Sequence, residues 1–373
     1  MSEDVEKVYN EFVAKGWTDG LPIIPPTGSR IKRMLEFTDR KPDDSLGRVP
    51  PSDNEVTIQN VAVNAVMAGC LPEYFPVIVT EIEALLDRPN LRGAVATTGA
   101  VWPMGIANGP IAREIGLYSG WGLFGTGPNH RANVTIGRTM TLVIQNVGKS
   151  VPGISEKKPL WNLGRYGICI RENEEDSPWE PLHVEKGFDK DTSTVAVYDE
   201  TDLKVGEIDG GRGSGIFGAD IRRRAKRITL AHYNPPVGIH FDQNLYIMSP
   251  GEAKRYVDNG WTKEDVKNYF YENCRSNPQE WYKDSGYPEE TIENIMRTAF
   301  AGAPLWMRQG DSVPLFATPE NIWIVVAGAS IGSVWTFSHH HSAFVSTHPV
   351  VMKPITFADG TPVKSVYDFK HKK

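Results

Sequence analysis

The chain has 373 residues, of which 40% are hydrophobic and 23% are charged, and its formal net charge is −6. This is the composition of an ordinary globular protein, and the slightly acidic balance argues against binding to nucleic acid or to a membrane surface. The acidic N-terminus lacks the apolar core of a signal peptide, and no apolar run reaches the length of a transmembrane helix, so we expect a cytoplasmic protein.

The order of the predicted elements indicates a mixed, loop-rich α/β protein. We predict two packed α/β subdomains, one over residues 1–220 that carries most of the conspicuous motifs and one over residues 221–373. The cysteines at 70, 169 and 274 are sparse, odd in number and without a CxxC pair, which excludes a zinc ribbon or thioredoxin motif and is typical of a reducing compartment.

The N-terminal region is predicted to be helical. An amphipathic helix over residues 3–15 is followed by a proline-rich segment, and Ser29 can cap a second helix. The proline-rich segment contains Pro25-Pro26, which favours an extended strap or a pocket wall over a central strand.

Two further helices are predicted to meet at Cys70. Thr57 is the expected N-cap of the first helix and Gly69 its C-terminal stop, while Pro72 starts the second. This pattern places Cys70 at a helix N-terminus, where the pKa of a thiol is lowered. The competing interpretation is that Cys70 only fills space in the core.

A short apolar run over residues 91–98 predicts a buried strand. Thr97 and Thr98 stand at its carboxyl end, and Asn108-Gly109-Pro110 opens the next helix. Ligands of α/β proteins bind at the carboxyl ends of strands and at the helix starts that follow. Thr97, Thr98 and Asn108 are therefore candidate substrate-binding residues.

After a glycine-rich span, a helical pattern begins at Ala132. His130 precedes this helix, Arg131 and Asn133 open it, and Arg138 lies further along. A polar, cationic cluster at a helix start suits an anion or a carboxylate. The two arginines are equally compatible with surface ion pairs.

An acidic segment follows the strand predicted at residues 165–173. Five acids lie within residues 172–180, and Glu172, Trp179 and His183 are the candidate site residues of this segment. Acidic clusters are usually solvated loops, but the tryptophan and the histidine favour a site. A further short strand is predicted at residues 193–199.

The second half of the chain contains a glycine-rich loop at residues 209–218. Gly213 to Gly218 match the dinucleotide pattern, but no strand precedes them and no acid follows at the ribose position, so a nucleotide is not expected. A mobile loop or lid is the favoured interpretation.

The remaining elements alternate strands and helices. Strands are predicted at residues 228–234, 240–248, 322–328 and 334–344, and helices at residues 250–260, 263–274 and 289–301. Ser249 caps the first of these helices, and Thr262 with Asp265 forms a capping box at the second.

A histidine triplet at residues 339–341 raises the question of a divalent metal. On a strand, His339 and His341 share a face, and His240 or His348 could supply a third ligand. No metal-binding spacing such as HExxH supports this, and histidines on an exposed or pocket-lining segment are the alternative.

Six stretches of the chain form a recognisable set: DGLPIIPPT (19–27), NAVMAGCLPEYFPV (64–77), ATTG (96–99), NGPIA (108–112), RANVTIGR (131–138) and ENEEDSPWEPLHVEKGF (172–188). Together they resemble one bacterial protein family, which is associated with small UGSC-type selenoproteins or cysteine proteins. The resemblance covers most of the first 190 residues and implies work beside a redox or thiol-bearing partner protein. The chain has no CGSC motif of its own.

The leading hypothesis is an enzyme that cleaves a carbon–heteroatom bond of a small polar or anionic molecule, by hydrolysis or elimination. Cys70 would act as a thiolate, with His130 or His183 as its proton partner. Other polar residues would hold the substrate: Thr97, Thr98, Asn108, Arg131, Asn133, Arg138, Glu172 and Trp179.

Two alternatives remain open from the sequence. One is a metal-dependent enzyme that uses His339 and His341, with Cys70 structural. The other is a non-catalytic subunit that binds a thiol or redox partner protein. A homo-oligomer is compatible with each hypothesis, and the cofactor stays open.

Overall fold

The structure, a computed structural model, combines helices with parallel and antiparallel strands, which confirms the predicted mixed α/β class. It describes residues 2–89, 91–96, 102–125, 127–157, 163–200, 202–206, 244–276, 286, 288–298, 313–314, 316, 318–330, 334–338 and 350–371. Within these ranges, no helix has both the length and the apolar character needed to cross a membrane.

The described α-helices and strands are numbered here in chain order. The helices are α1 (Ser2–Ala14), α2 (Gly28–Leu35), α3 (Ile58–Ala68), α4 (Phe75–Leu86), α5 (Leu91–Val95), α6 (Pro110–Glu114), α7 (Arg131–Asn146), α8 (Leu182–Glu185), α9 (Pro250–Asp258), α10 (Lys263–Asn273), α11 (Glu289–Thr298) and α12 (Asp368–His371). The strands are β1 (Ser45–Val49), β2 (Asn54–Thr57), β3 (Trp102–Asn108), β4 (Cys169–Arg171), β5 (Thr194–Glu200), β6 (Asp202–Gly206), β7 (Asn244–Met248), β8 (Arg275–Ser276), β9 (Val313–Pro314), β10 (Ile322–Val326), β11 (Val334–Ser338) and β12 (Val351–Pro354).

The chain forms two compact units, and neither is a single stretch of sequence. Unit 1 contains residues 1–174, 183–200 and 350–373, and unit 2 contains residues 175–182 and 201–349. The C-terminal segment differs from the predicted division, which had placed it with residues 221–349. It belongs to unit 1 because β12 pairs antiparallel with β5. The predicted boundary at residue 220 falls outside the described residues.

Unit 1 is built on a four-stranded sheet with the order β12-β5-β3-β4. Strands β3 and β4 run parallel, while β5 is antiparallel to both β3 and β12. Helix α4 packs against this sheet and against α3 and α7. Nearly every residue of α4 is buried, so this helix forms the centre of the hydrophobic core of unit 1.

The caps predicted for the third helix are confirmed. Thr57 and Asn60 form a reciprocal capping box at the start of α3, and Gly69 ends the helix in the left-handed conformation with φ +92°. Pro72 begins a short 3₁₀ turn over Pro72–Tyr74, and α4 follows at Phe75.

Residues 91–96 do not form the strand predicted over residues 91–98, whose last two residues lie outside the described part of the chain. Residues Leu91–Val95 form helix α5, and the Ala96 N–H donates to the Arg92 carbonyl. Leucine, alanine and arginine favour a helix, and an apolar run this short does not distinguish the two structures. The buried strand of this region is β3, which the sequence analysis missed.

A contact between two backbones holds α7 against the segment that leads into β4. A Cβ atom on Gly137 would overlap the backbone of Ile168, and a Cβ on Gly167, whose φ is +83°, would overlap the carbonyl of Gly137. The two glycines therefore allow an approach that no larger residue permits.

Unit 2 contains a second four-stranded sheet with the order β10-β7-β11-β6. Strands β7 and β10 are parallel, and β11 is antiparallel to β7 and β6. The strand predicted at residues 322–328 and the caps predicted at Ser249 and Thr262 are confirmed. The core of this unit is aromatic, with Tyr246, Tyr256 and Phe270 fully buried.

Replacing Gly137 by alanine should destabilise unit 1 by about 3 kcal/mol, because the added methyl group meets backbone atoms that cannot rotate away. Urea unfolding followed by circular dichroism measures the change. Gly28→Ala, at the open start of α2, is the control and should change the free energy of unfolding by less than about 1 kcal/mol. Equal effects of the two substitutions would contradict the close backbone contact.

Candidate active site

Two polar side chains meet where the parallel strands β3 and β4 end. Ala107 pairs with Arg171 in the register, so Asn108 and Glu172 leave the sheet at the same edge. Both side chains are fully buried, and the Asn108 amide nitrogen donates to Glu172 Oε2 over 2.5 Å. Both residues are candidate site residues predicted from the sequence, and the structure places them in direct contact.

Glu174, which was not among the residues predicted from the sequence, is the hub of this cluster. Its Oε1 accepts hydrogen bonds from the Gly109 N–H at 2.6 Å and from the Asn108 amide at 3.3 Å. Its Oε2 accepts from Arg113 Nη1 at 2.7 Å. Three neighbours thus hold the carboxylate in place. One of them, Arg113, reaches the surface, where 39% of its side chain is exposed.

The orientation of the Asn108 amide follows from its neighbours. The nitrogen must face the two carboxylates, because an amide oxygen in that position would meet only acceptors. Asn108 Oδ1 therefore points away from Glu172 and Glu174. It is buried and has no hydrogen-bond partner.

His183, on the short helix α8, completes the cluster. Its Nε2 lies 3.3 Å from the Lys190 carbonyl, which only accepts, so Nε2 carries the proton of the neutral ring. Nδ1 then has a free lone pair; it is buried without a hydrogen-bond partner and lies 3.9 Å from Glu174 Oε1. The structure thus joins His183 to Asn108 and Glu172 through Glu174.

The turn after β3 is held by Gly109 and Ser193. Gly109 has φ +89°, and a Cβ on it would lie 2.7 Å from the Ser193 Cα. The Ser193 hydroxyl accepts from the Ile111 N–H at 2.9 Å. The Asn-Gly-Pro turn in the sequence marked this position, but the alignment of the Gly109 N–H with Glu174 depends on the packing of β5.

The predicted residues at the start of α7 hold nearby backbone. Arg131 donates to the Gly69 carbonyl at 2.9 Å, and both ends of the Asn133 amide bond to the Tyr118 backbone at 2.9 Å. His130 Nε2 lies 2.9 Å from the Gly122 carbonyl. In the described part of the chain, no contact links these residues to the Asn108 cluster.

Arg138 forms a two-pronged ion pair with Asp19, with both nitrogen–oxygen distances at 2.8 Å. This pair anchors the DGLP segment to α7, and Asp19 also lines a surface depression of ≈ 460 Å³. Trp179 belongs to unit 2, where its ring centre lies 6.2 Å from that of Tyr256. In the described structure Arg138 does not contact the Asn108 cluster.

The predicted lowering of the Cys70 pKa is wrong. Cys70 is buried against α7, with its Sγ 3.3 Å from the Thr139 hydroxyl, and burial raises the pKa of the thiol to about 11. The first full helix after it starts only at Phe75, so no α-helix N-terminus lies at the sulfur. The competing interpretation, a core cysteine, fits this environment.

A buried carboxyl group lies beside the second cysteine. Glu81 on α4 is fully buried, and burial raises its pKa to about 8. Burial also raises the pKa of the neighbouring Cys169 thiol, whose Sγ would lie 2.8 Å from a Cβ on Gly105. Gly105 leaves the space that the Glu81 carboxyl occupies.

Several predicted residues lie outside the described part of the chain: Thr97, Thr98, His240, His339, His341, His348 and the loop 209–218. Within the described residues, no group of three or more histidine, cysteine or acidic side chains is arranged to hold a metal ion. The metal hypothesis based on the histidine triplet therefore stays a prediction.

Comparison with known proteins adds no relative. No protein-family model, no curated protein and no solved structure matches the chain. The candidate site therefore rests on its own geometry.

Cys70 should resist alkylation in the native protein, because its thiol is buried and a pKa of about 11 leaves roughly one thiolate in ten thousand at pH 7. We expect iodoacetamide to modify Cys70 at least about 100-fold more slowly than in urea, as read by peptide mass spectrometry. An Ile154→Cys variant places a reporter thiol at a position that is 75% exposed. Native labelling of Cys70 at the reporter's rate would restore the thiolate hypothesis.

Glu81 should make the protein less stable as the pH rises. Its pKa is about 8 in the folded chain and near 4.5 when unfolded, so the stabilising protonated form is complete below pH 4.5 and is lost toward pH 8. Between pH 5 and 8, Glu81→Gln should remove a fall of about 4 kcal/mol in the free energy of unfolding, at about 1.4 kcal/mol per pKa unit.

Urea unfolding at the two pH values measures this effect. Thr80→Ser, an uncharged change on the same helix, should keep the pH dependence of the native sequence. If the Glu81→Gln and native curves stay parallel, the carboxyl is not protonated in the folded protein.

Proposed function

We propose that the protein is an enzyme that performs acid–base chemistry on a small polar molecule at the Asn108–Glu172–Glu174–His183 cluster. One observation carries the proposal: the two unpartnered buried atoms, His183 Nδ1 and Asn108 Oδ1, belong to side chains that both lie within 4 Å of the same Glu174 oxygen. Buried polar atoms are normally bonded, so two unbonded atoms around a single carboxylate call for an explanation, and a catalytic role is one that this cluster supports.

His183 is the general base in this proposal. The Lys190 carbonyl holds the Nε2 proton and so keeps the lone pair on Nδ1, inside the cluster. When Nδ1 takes a proton from the substrate or from water, the ring becomes cationic. Glu174, 3.9 Å away, then stabilises that positive charge.

The remaining residues fix the geometry of the base and of the substrate. Gly109 and Arg113 hold the Glu174 carboxylate, and Glu172 orients the Asn108 amide so that Oδ1 can accept a hydrogen bond from the substrate. Such fixed groups lower the barrier by orientation and not by new chemistry. The reaction class we propose is cleavage of a carbon–heteroatom bond by elimination or hydrolysis.

This proposal gives the proton-transfer role to His183 and leaves Cys70 in the core. It keeps the reaction class expected from the sequence. The raised pKa of the buried Cys70 thiol supports the change of residue, because the nucleophile of a thiol enzyme is the thiolate.

Two substitutions at His183 separate catalysis from structure. His183→Gln keeps a donor for the Lys190 carbonyl and removes the Nδ1 base, whereas His183→Asn keeps a polar atom near Nδ1 and loses that donor. We expect His183→Gln to retain its thermal midpoint and to lose activity by about 10²–10⁴-fold. His183→Asn should be less stable.

The assay measures product release from a panel of small amines, amides and hydroxy acids, with the native protein as reference. The Gln variant is the decisive one because it preserves the anchor of the ring position. Full activity of His183→Gln on a substrate that the native protein converts would exclude His183 as the base.

A further inference from the structure

The polar atoms of the candidate active site differ in what they still offer to a ligand. Asn108 Oδ1 and His183 Nδ1 are buried acceptors without partners, and Glu174 Oε1 lies 3.9 Å from His183 Nδ1 and 3.3 Å from the Asn108 amide nitrogen. All three atoms belong to buried or nearly buried side chains of unit 1. A ligand that binds here meets acceptors.

The donors of the same residues are already used. The Asn108 amide nitrogen donates to Glu172 and Glu174, and the Gly109 N–H also donates to Glu174. His183 Nε2 donates to the Lys190 carbonyl. A ligand that brought further acceptors would leave Asn108 Oδ1 and His183 Nδ1 unbonded, at the full cost of burying them.

The charge at the site points in the same direction. Two acidic side chains, Glu172 and Glu174, face the Asn108 amide, and Arg113 pairs with the outer oxygen of Glu174. An anion would lie next to acidic groups, whereas a cation would be attracted to them. This arrangement disfavours the anionic substrate group that the sequence led us to expect.

We propose that this site binds the protonated nitrogen of a small primary amine. An ammonium group has N–H donors, no acceptor and a positive charge, which suits the unbonded His183 Nδ1 and the Glu174 Oε1 that lies 3.9 Å from it. The inference rests on the proposed function for the choice of site and deepens it by naming the substrate class. The substrates are then small amines, and carboxylic acids without an amino group are excluded.

The test uses three ions on the full chain at constant ionic strength: methylammonium, tetramethylammonium and acetate. Tetramethylammonium carries the same charge as methylammonium but has no N–H donor, so the pair separates hydrogen bonding from charge. Long-range proton–nitrogen NMR spectra report the ring nitrogens of His183, whose signals are assigned by their loss in His183→Gln.

We expect methylammonium to shift the His183 Nδ1 signal saturably, in the millimolar range typical of so small a ligand. Tetramethylammonium and acetate should produce no saturable shift. Asn108→Leu, compared with native protein by circular dichroism for folding, should weaken methylammonium binding at least tenfold. If that variant does not fold, His183→Gln serves instead, with calorimetry as the readout.

Saturable binding of acetate, or an equal response to both ammonium ions, would overturn the inference. No saturable response to methylammonium up to about 100 mM would overturn it as well. These outcomes need no turnover, so they are independent of the activity test. Acetate binding with an inactive His183→Gln enzyme would reject the amine and keep the proposed function, while methylammonium binding with a fully active variant would do the reverse.

Discussion

The close contact between α7 at Gly137 and the chain at Gly167 and Ile168 is the constraint on which the site-bearing sheet depends. The Ile168 carbonyl that follows this contact accepts from the Gly105 N–H at 3.0 Å, so the segment pressed against α7 is also bonded to β3. Strand β4 begins at the next residue, and Glu172 and Glu174 follow its end. The position of Glu172 and Glu174 thus depends on Gly137 and Gly167, neither of which is part of the site.

The two faces of the unit 1 sheet differ in how the charge of a carboxyl group is accommodated. On the face of Gly105, Glu81 lies in the core with a pKa raised by burial, and protonation removes the charge that the core cannot solvate. Asn108, three residues on, points to the opposite face, where the charge of Glu174 is balanced by hydrogen bonds and by Arg113. A neutral carboxyl group, as at Glu81, is what a structural position in the core tolerates. A carboxylate that stays charged because it is paired, as at Glu174, is available for chemistry.

Local chemistry made part of this structure predictable. The caps at Thr57, Gly69 and Thr262 are set by residues within four positions of each cap, so the sequence predicts them. Strand β3 was missed because Pro103 and Gly105 are unfavourable in a central strand. In the structure β4 pairs only with Gly105–Ala107, so Pro103 lies in the part of β3 that has β5 as its one partner strand. The burial of Cys70 depends on Thr139, 69 positions away, which no local pattern reports. Asn108, Glu172 and His183 could be selected as polar residues after strands, but their hub, Glu174, required the register of β3 and β4.

The return of the C-terminal segment to unit 1 has a consequence for how the protein is made. Strand β5 is synthesised before the whole of residues 201–349, yet its partner β12 comes after them. During translation β5 therefore leaves the ribosome with one edge unpaired, and that edge stays open until residues 351–354 emerge. Unpaired strand edges attract other chains, so the newly made protein is most exposed to aggregation or to chaperones while unit 2 is being synthesised. A ribosome that stops before residue 350 releases a chain in which the sheet of unit 1 lacks β12 and ends at the unpaired edge of β5.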